Sequence, residues 1–110
     1  MTGLSTHVLD TCHGRPAAAV PLRLLTVAGD ILFLGVTNDD GRCPGLPPVE
    51  PGLYRLEFSI AGYFRMAGID LPEPPFLDIV AIDFGIADPV GHYHVPLLVS
   101  PYSYSTYRGS

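Results

Sequence analysis

Lysine is absent from this 110-residue chain, and its six basic residues are all arginine, set against eleven acidic ones for a formal net charge of -5. Nucleic-acid binding draws on positive charge clustered along one face, so a phosphate-binding stripe is not available and no nucleic-acid partner is expected. Cysteine is scarce too. Cys12 and Cys43 show no repeated spacing of the kind found in disulfide frameworks or thiolate zinc sites, so both are expected as free thiols in a reducing compartment. Long apolar runs are missing as well: no stretch reaches about 18 uninterrupted apolar residues, and Met1-Thr2-Gly3-Leu4 opens no cationic segment leading into an apolar one. The expectation is a soluble, cytoplasmic protein that engages no membrane.

What is present is enough for a core. Apolar residues make up 47% of the chain, and its length suits a single domain over residues 1–110. Twelve prolines and twelve glycines divide the chain into short segments, which favours strands joined by turns over long helices. Strands are expected at Ser5–Asp10, Val20–Val27, Ile31–Val36, Leu53–Phe58, Phe76–Ile86, Gly91–Val99 and Tyr102–Arg108. Thr11 to Pro16 reads as a turn, and Pro44 to Pro51 as an edge or loop because proline cannot donate to a ladder. Ile60–Ala67, closed by Gly68, is the one plausible helix. This element count predicts an all-β, Greek-key-like sandwich.

The two-residue period of a strand aims the side chains. Tyr93, Val95, Leu97 and Val99 should face the core, leaving His92, His94, Pro96 and Leu98 on the outer face, with His7 also outward if Val8 points in. An outer face of His, Pro and Leu is apolar enough to suggest contact with another subunit. Arg42 leaves the Thr37-Asn38-Asp39-Asp40-Gly41 turn directly. Taken alone, it and Arg108 read as solvated surface charges, and His13 as a turn residue in water. Arg15, Arg23, Arg55 and Arg65 read as surface or ion-pair residues. His92-x-His94, with His7 as a third ligand, would also permit a metal site, although a guanidinium nearby disfavours a bound cation.

Four blocks carry a resemblance that covers essentially the whole chain: Ser5-Thr6-His7-Val8-Leu9-Asp10, Thr37 to Arg42, His92-Tyr93-His94-Val95-Pro96-Leu97-Leu98, and Ser105-Thr106-Tyr107-Arg108-Gly109-Ser110. Together they resemble the signature segments of the 5-hydroxyisourate hydrolases, the transthyretin-related enzymes of purine catabolism. The closing Tyr107-Arg108-Gly109-Ser110 is the most specific of them, because the hormone-carrying transthyretins lack both the histidines and that ending. The resemblance implies a transthyretin-like sandwich of two four-stranded sheets with one short helix, assembled as a homotetramer, a dimer of dimers with active sites where the dimers meet. It implies hydrolysis of 5-hydroxyisourate to 2-oxo-4-hydroxy-4-carboxy-5-ureidoimidazoline, with no cofactor and no metal. Carried over residue by residue, the catalytic set falls on His7, Arg42, His94 and Ser110. His7, Arg42, His92, Tyr107, Arg108 and Gly109 would bind the substrate. Phe76 to Asp83 and Ser59 depart from the family pattern, away from these blocks.

The residue types suit that chemistry. Opening a cyclic amide requires a deprotonated water, a stabilised oxyanion and a protonated ring nitrogen. Histidines titrate in the needed range and supply about 10²- to 10⁴-fold as acid–base groups. An arginine fork matches adjacent carbonyl and amide edges. The sequence leaves open which histidine is the base. The alternative class is a non-enzymatic binding protein that uses the same fold to hold a small ligand.

Overall fold

The structure is a computed structural model that describes residues 1–109, and Ser110 lies outside the described residues. β1 (Gly3–Asp10) alternates half-buried and buried side chains along its whole length, the signature of a strand with one face in a core. β2 (Arg15–Pro16) is a two-residue strand. β3 (Pro21–Thr26) and β4 (Ile31–Val36) form an antiparallel hairpin. β5 (Gly52–Ser59) runs directly into α1 (Ile60–Met66), and β6 (Ile79–Ile86), β7 (His92–Val99) and β8 (Tyr104–Thr106) complete the chain. The strands form two four-stranded sheets, ordered β2-β1-β7-β8 and β4-β3-β5-β6, so the expected all-β sandwich with one short helix is the fold observed.

The core lies between the sheets. Val8, Leu97 and Val99 from the first sheet meet Leu24, Leu56, Phe58 and Val80 from the second, joined by Ile60 and Phe64 of α1, all of them at or near complete burial. Burying each such side chain contributes about 1.5–3 kcal/mol, which is what holds the sheets face to face. On β7 the alternation is as the sequence implies: Tyr93, Val95, Leu97 and Val99 are buried. Pro96 is buried as well, so the outer face of β7 presents only His92, His94 and Leu98.

Several boundaries differ from expectation. Arg15 and Pro16, read as the end of a turn, pair with Asp10 and Leu9 as an added edge strand. The strand expected from Phe76 begins only at Ile79, because the Asp78 carbonyl is taken by the Ile60 and Ala61 N–H groups and so starts the helix rather than the ladder. The last strand is shorter than Tyr102–Arg108. Tyr102 and Ser103 belong to a turn in which Ser103 N–H donates to Ser100 Oγ at 3.1 Å and Ser100 N–H to the Ser103 carbonyl at 2.8 Å. At the end of α1, Gly68 takes the left-handed conformation (φ 90°) and Ile69 N–H reaches back to the Phe64 carbonyl, the cap that glycine permits. The arginines set aside as ion-pair residues include Arg23 beside Glu57, Arg55 beside Asp83 and Arg65 beside Glu73.

His13 lies exposed in its turn, as the sequence implies, with its ring held by Asp10. The buried Asp10 carboxylate closes β1 by accepting from Cys12 N–H (2.9 Å), His13 N–H (3.0 Å), His13 Nδ1 (2.6 Å) and Tyr63 Oη–H of α1 (2.7 Å). Burial alone would raise its pKa, but the donors from Tyr63 and His13 outweigh it and hold the group below its ordinary 3.8. A carboxylate with a depressed folded pKa stabilises the fold above its unfolded value, and that contribution is lost as pH falls through the folded one. Tyr63→Phe should therefore destabilise the protein by about 1–3 kcal/mol at neutral pH, the effect of removing a donor from a buried charge. The gap from the parent should narrow below pH 3.8, read by urea denaturation at both pH values.

Candidate active site

Parallel pairing of β1 with β7 places Gly3 beside His92, Ser5 beside His94 and His7 beside Pro96. Ser5 and His7 lie two residues apart on the outward face of β1, so both side chains sit next to the outward histidines of β7. The Ser5 hydroxyl contacts both rings, at 2.8 Å from His92 Nε2 and 2.7 Å from His94 Nδ1.

Arg42 arrives from a loop rather than a strand. It forms an isolated antiparallel bridge with His7, and the Asn38 side chain fixes the turn before it by accepting from Asp40 N–H (3.0 Å) and Arg42 N–H (3.1 Å). Gly41 holds φ 74°, and its carbonyl accepts from Val8 N–H at 2.7 Å. A Cβ at Gly41 would run into the Val8 carbonyl, so the approach of this turn to β1 requires glycine. Arg42 and Ser5 line one recess with Asn38, Cys43 and Leu46.

The tail reaches the same place by continuing a ladder. β8 pairs antiparallel with β7, Leu97 opposite Thr106, and the Thr106 hydroxyl donates to the Pro96 carbonyl at 2.7 Å. The register carries on until Gly109 bridges His94, its N–H donating to the His94 carbonyl at 2.8 Å. Gly109 packs close to the His94 side chain: a Cβ there would sit 2.6 Å from His94 Cδ2. Arg108 turns the other way. Its guanidinium stacks over the ring of Tyr93, 3.8 Å from the centroid, on the core-facing side of β7. Tyr107 is exposed and lines a second recess with Arg108, Tyr93 and Asp83.

His94 is half-buried and has its pKa lowered from 6.5, first by burial and then by the positive potential of Arg42, His7 and His92. Its imidazole is accordingly neutral at neutral pH, the form that can accept a proton. The structure thus brings together His7, His92, His94, Arg42 and the main chain of Gly109, and sets the Arg108 side chain apart; Ser110 is outside the described residues. Sequence reasoning passed over Ser5 and Gly3. The signal was available in the alternation that puts Ser5 on the face of His7, but which strand would lie beside β1 was not. Among the described residues, the one grouping of three potential metal-ligand atoms within 4.8 Å is Asp10, Cys12 and His13, where donors already occupy both Asp10 oxygens.

Residues 4–109 match the HIUase/Transthyretin family. A 5-hydroxyisourate hydrolase of Pseudomonas aeruginosa is 50% identical over an alignment spanning all of this chain and 93% of that protein. Among solved structures, the 5-hydroxyisourate hydrolase of Klebsiella pneumoniae superposes with a TM-score of 0.85 at 37% identity, covering both chains completely. Sea bream transthyretin, solved in complex with thyroxine, superposes with a TM-score of 0.82 at 32% identity over 96% of this chain and 93% of that one. Family match, shared fold and full-length similarity agree, and the chain belongs to the HIUase/Transthyretin family.

Proposed function

We propose that this protein is a 5-hydroxyisourate hydrolase of purine catabolism, acting as a single cytoplasmic domain within a homotetramer and using no cofactor. The observation that carries the reading is the convergence on His94: a neutral, half-buried imidazole with Ser5 on Nδ1, Gly109 against its ring, and Arg42 and His7 in its field. Because Nδ1 is engaged, Nε2 is the nitrogen left to take a proton from water. The hydroxide attacks the ring carbonyl, the C–N bond breaks, and the departing nitrogen collects the proton. Arg42 and His7 hold the substrate edge and the oxygen that gains charge, where a guanidinium fork is strongest. Ser110, directly after Gly109, joins this set on the family resemblance alone, as do Tyr107 and Arg108 as substrate contacts. Assembly is supported by the edge position of β8 and by its exposed Tyr104, flanked by exposed Tyr102 and Tyr107.

The small-ligand carrier is the competing reading. Ionisable groups crowd this face, whereas a carrier site wants mainly apolar walls. Ultraviolet decay of freshly generated 5-hydroxyisourate, with and without protein, decides between them. Accelerated decay is expected, and an unchanged decay with folded protein overturns the assignment. The pH dependence follows from the sign of the His94 shift. A base with a lowered pKa stays deprotonated further into acid, so the acidic limb of kcat/KM should fall below pH 6.5. A limb above that value would remove His94 as the base.

A further inference from the structure

We propose that the Ser5 hydroxyl is a proton relay that carries the proton taken up by His94 across to His92. The inference rests on the reading of His94 as the base. A hydroxyl has one proton to give and lone pairs to accept with. Of its two imidazole contacts, at 2.7 and 2.8 Å, at most one can be a donation, and the other must be an acceptance from a ring N–H. Ser5 therefore fixes the two rings in complementary states. With His94 Nε2 free for water, His94 Nδ1–H donates to Ser5 Oγ, and Ser5 Oγ–H donates to His92 Nε2.

The transfer balances. The water proton arrives at His94 Nε2 as the Nδ1 proton passes to Ser5 Oγ and the original hydroxyl proton passes to His92 Nε2. His94 ends neutral in its other tautomer, Ser5 ends as a hydroxyl again, and His92 becomes the imidazolium. Collapse of the tetrahedral intermediate reverses the sequence and delivers the proton to the departing nitrogen. The gain is the location of the charge. An imidazolium at His94 would be half-buried and face Arg42 of the 38–46 loop, His7 of β1 and His92 of its own strand. His92 is exposed, and water can solvate its charge.

A second observation supports the same assignment. Gly3 stands opposite His92 in the β1–β7 register, and a Cβ there would lie 2.9 Å from His92 Nδ1. The missing side chain lets the His92 ring settle over β1 with Nε2 on Ser5. Gly3 needs no unusual backbone conformation, so the close approach is what singles it out.

The test starts with the unaltered protein labelled with nitrogen-15 at histidine. Nuclear magnetic resonance should find His94 Nδ1 protonated and His92 Nε2 unprotonated at neutral pH, and the opposite pair of tautomers overturns the relay. Kinetically, Ser5→Ala should lower kcat about 10- to 100-fold, part of the 10²–10⁴ that positioned acid–base groups supply, with KM changed less than about twofold. The dependence of kcat on deuterium fraction should turn from curved, with several protons in flight, to linear. Ser5→Thr should restore both rate and curvature. If Ser5→Ala does not fold, Gly3→Ala displaces only the His92 ring and should give the same linear dependence. Parental kcat and curvature in a folded Ser5→Ala or Gly3→Ala protein sinks the relay while leaving the hydrolase reading standing, and an unaltered protein that fails to speed decay sinks the hydrolase reading itself.

Discussion

His94→Asn is expected to lower kcat/KM for 5-hydroxyisourate by about 10²- to 10⁴-fold while leaving the sandwich folded, the range that a lost general base usually spans. The substitution separates chemistry from architecture. An asparagine amide can still meet the Ser5 hydroxyl, and it occupies a position that is half-buried on the outside of its sheet. The neighbours that hold β7 in place, Val95 and Leu97 at 6% and 0% exposure, project from the opposite face and are untouched. What the amide cannot do is take a proton from water near neutral pH. Ultraviolet decay gives the rate, and circular dichroism with a thermal melt gives the fold. A folded variant that turns over at the parental rate would remove the centre of the proposed mechanism.

Gly109→Ala should be nearly as damaging, for a reason of space rather than chemistry. The new methyl would stand 2.6 Å from His94 Cδ2 and 3.0 Å from its Cβ, closer than side chains tolerate. Either the imidazole tilts or the tail lifts from β7 and loses the hydrogen bond from Gly109 N–H to the His94 carbonyl. Displacing a catalytic group by about 1 Å is enough for roughly a 10²-fold loss in rate. Stability should change little, since Gly109 adds nothing to the core. Gly62→Ala is the control: it sits within α1 with nothing inside 4 Å of a new Cβ. That variant should keep full activity and gain up to about 1 kcal/mol of stability, because alanine suits a helix better than glycine. Equal activity losses in the two variants would dissociate Gly109 from the site.

Much of this arrangement could be read from the chain, and the failures have physical causes. Strand periodicity aimed His94 outward and Tyr93 inward because burial on one face enforces alternation. The strands at Val20–Val27 and Ile31–Val36 were legible from the segments that turn residues set off, and the Gly68 helix stop from its tolerance of positive φ. Phe76 to Asp78 misled because apolar content says nothing about where a carbonyl is needed, and the Asp78 carbonyl was needed by the helix. The direction of the Arg108 side chain could not be read because it depends on which side of β7 the tail presents. Ser5 escaped notice for the same reason: its partners lie in a strand whose adjacency to β1 is set by the whole fold, and no local pattern announces it.

The pairing of β1 with β7 also governs how the molecule comes into being. Ser5 and His94 are 89 positions apart, so at synthesis rates of about 5–20 residues per second β1 is synthesised roughly 4–18 seconds before its long partner. During that interval the backbone donors and acceptors along the β7 side of β1 are open to any passing extended segment. Newborn chains should therefore be at their most aggregation-prone just before β7 can pair with β1, and overproduction at low temperature or with added chaperone should raise the soluble yield by shielding that waiting edge.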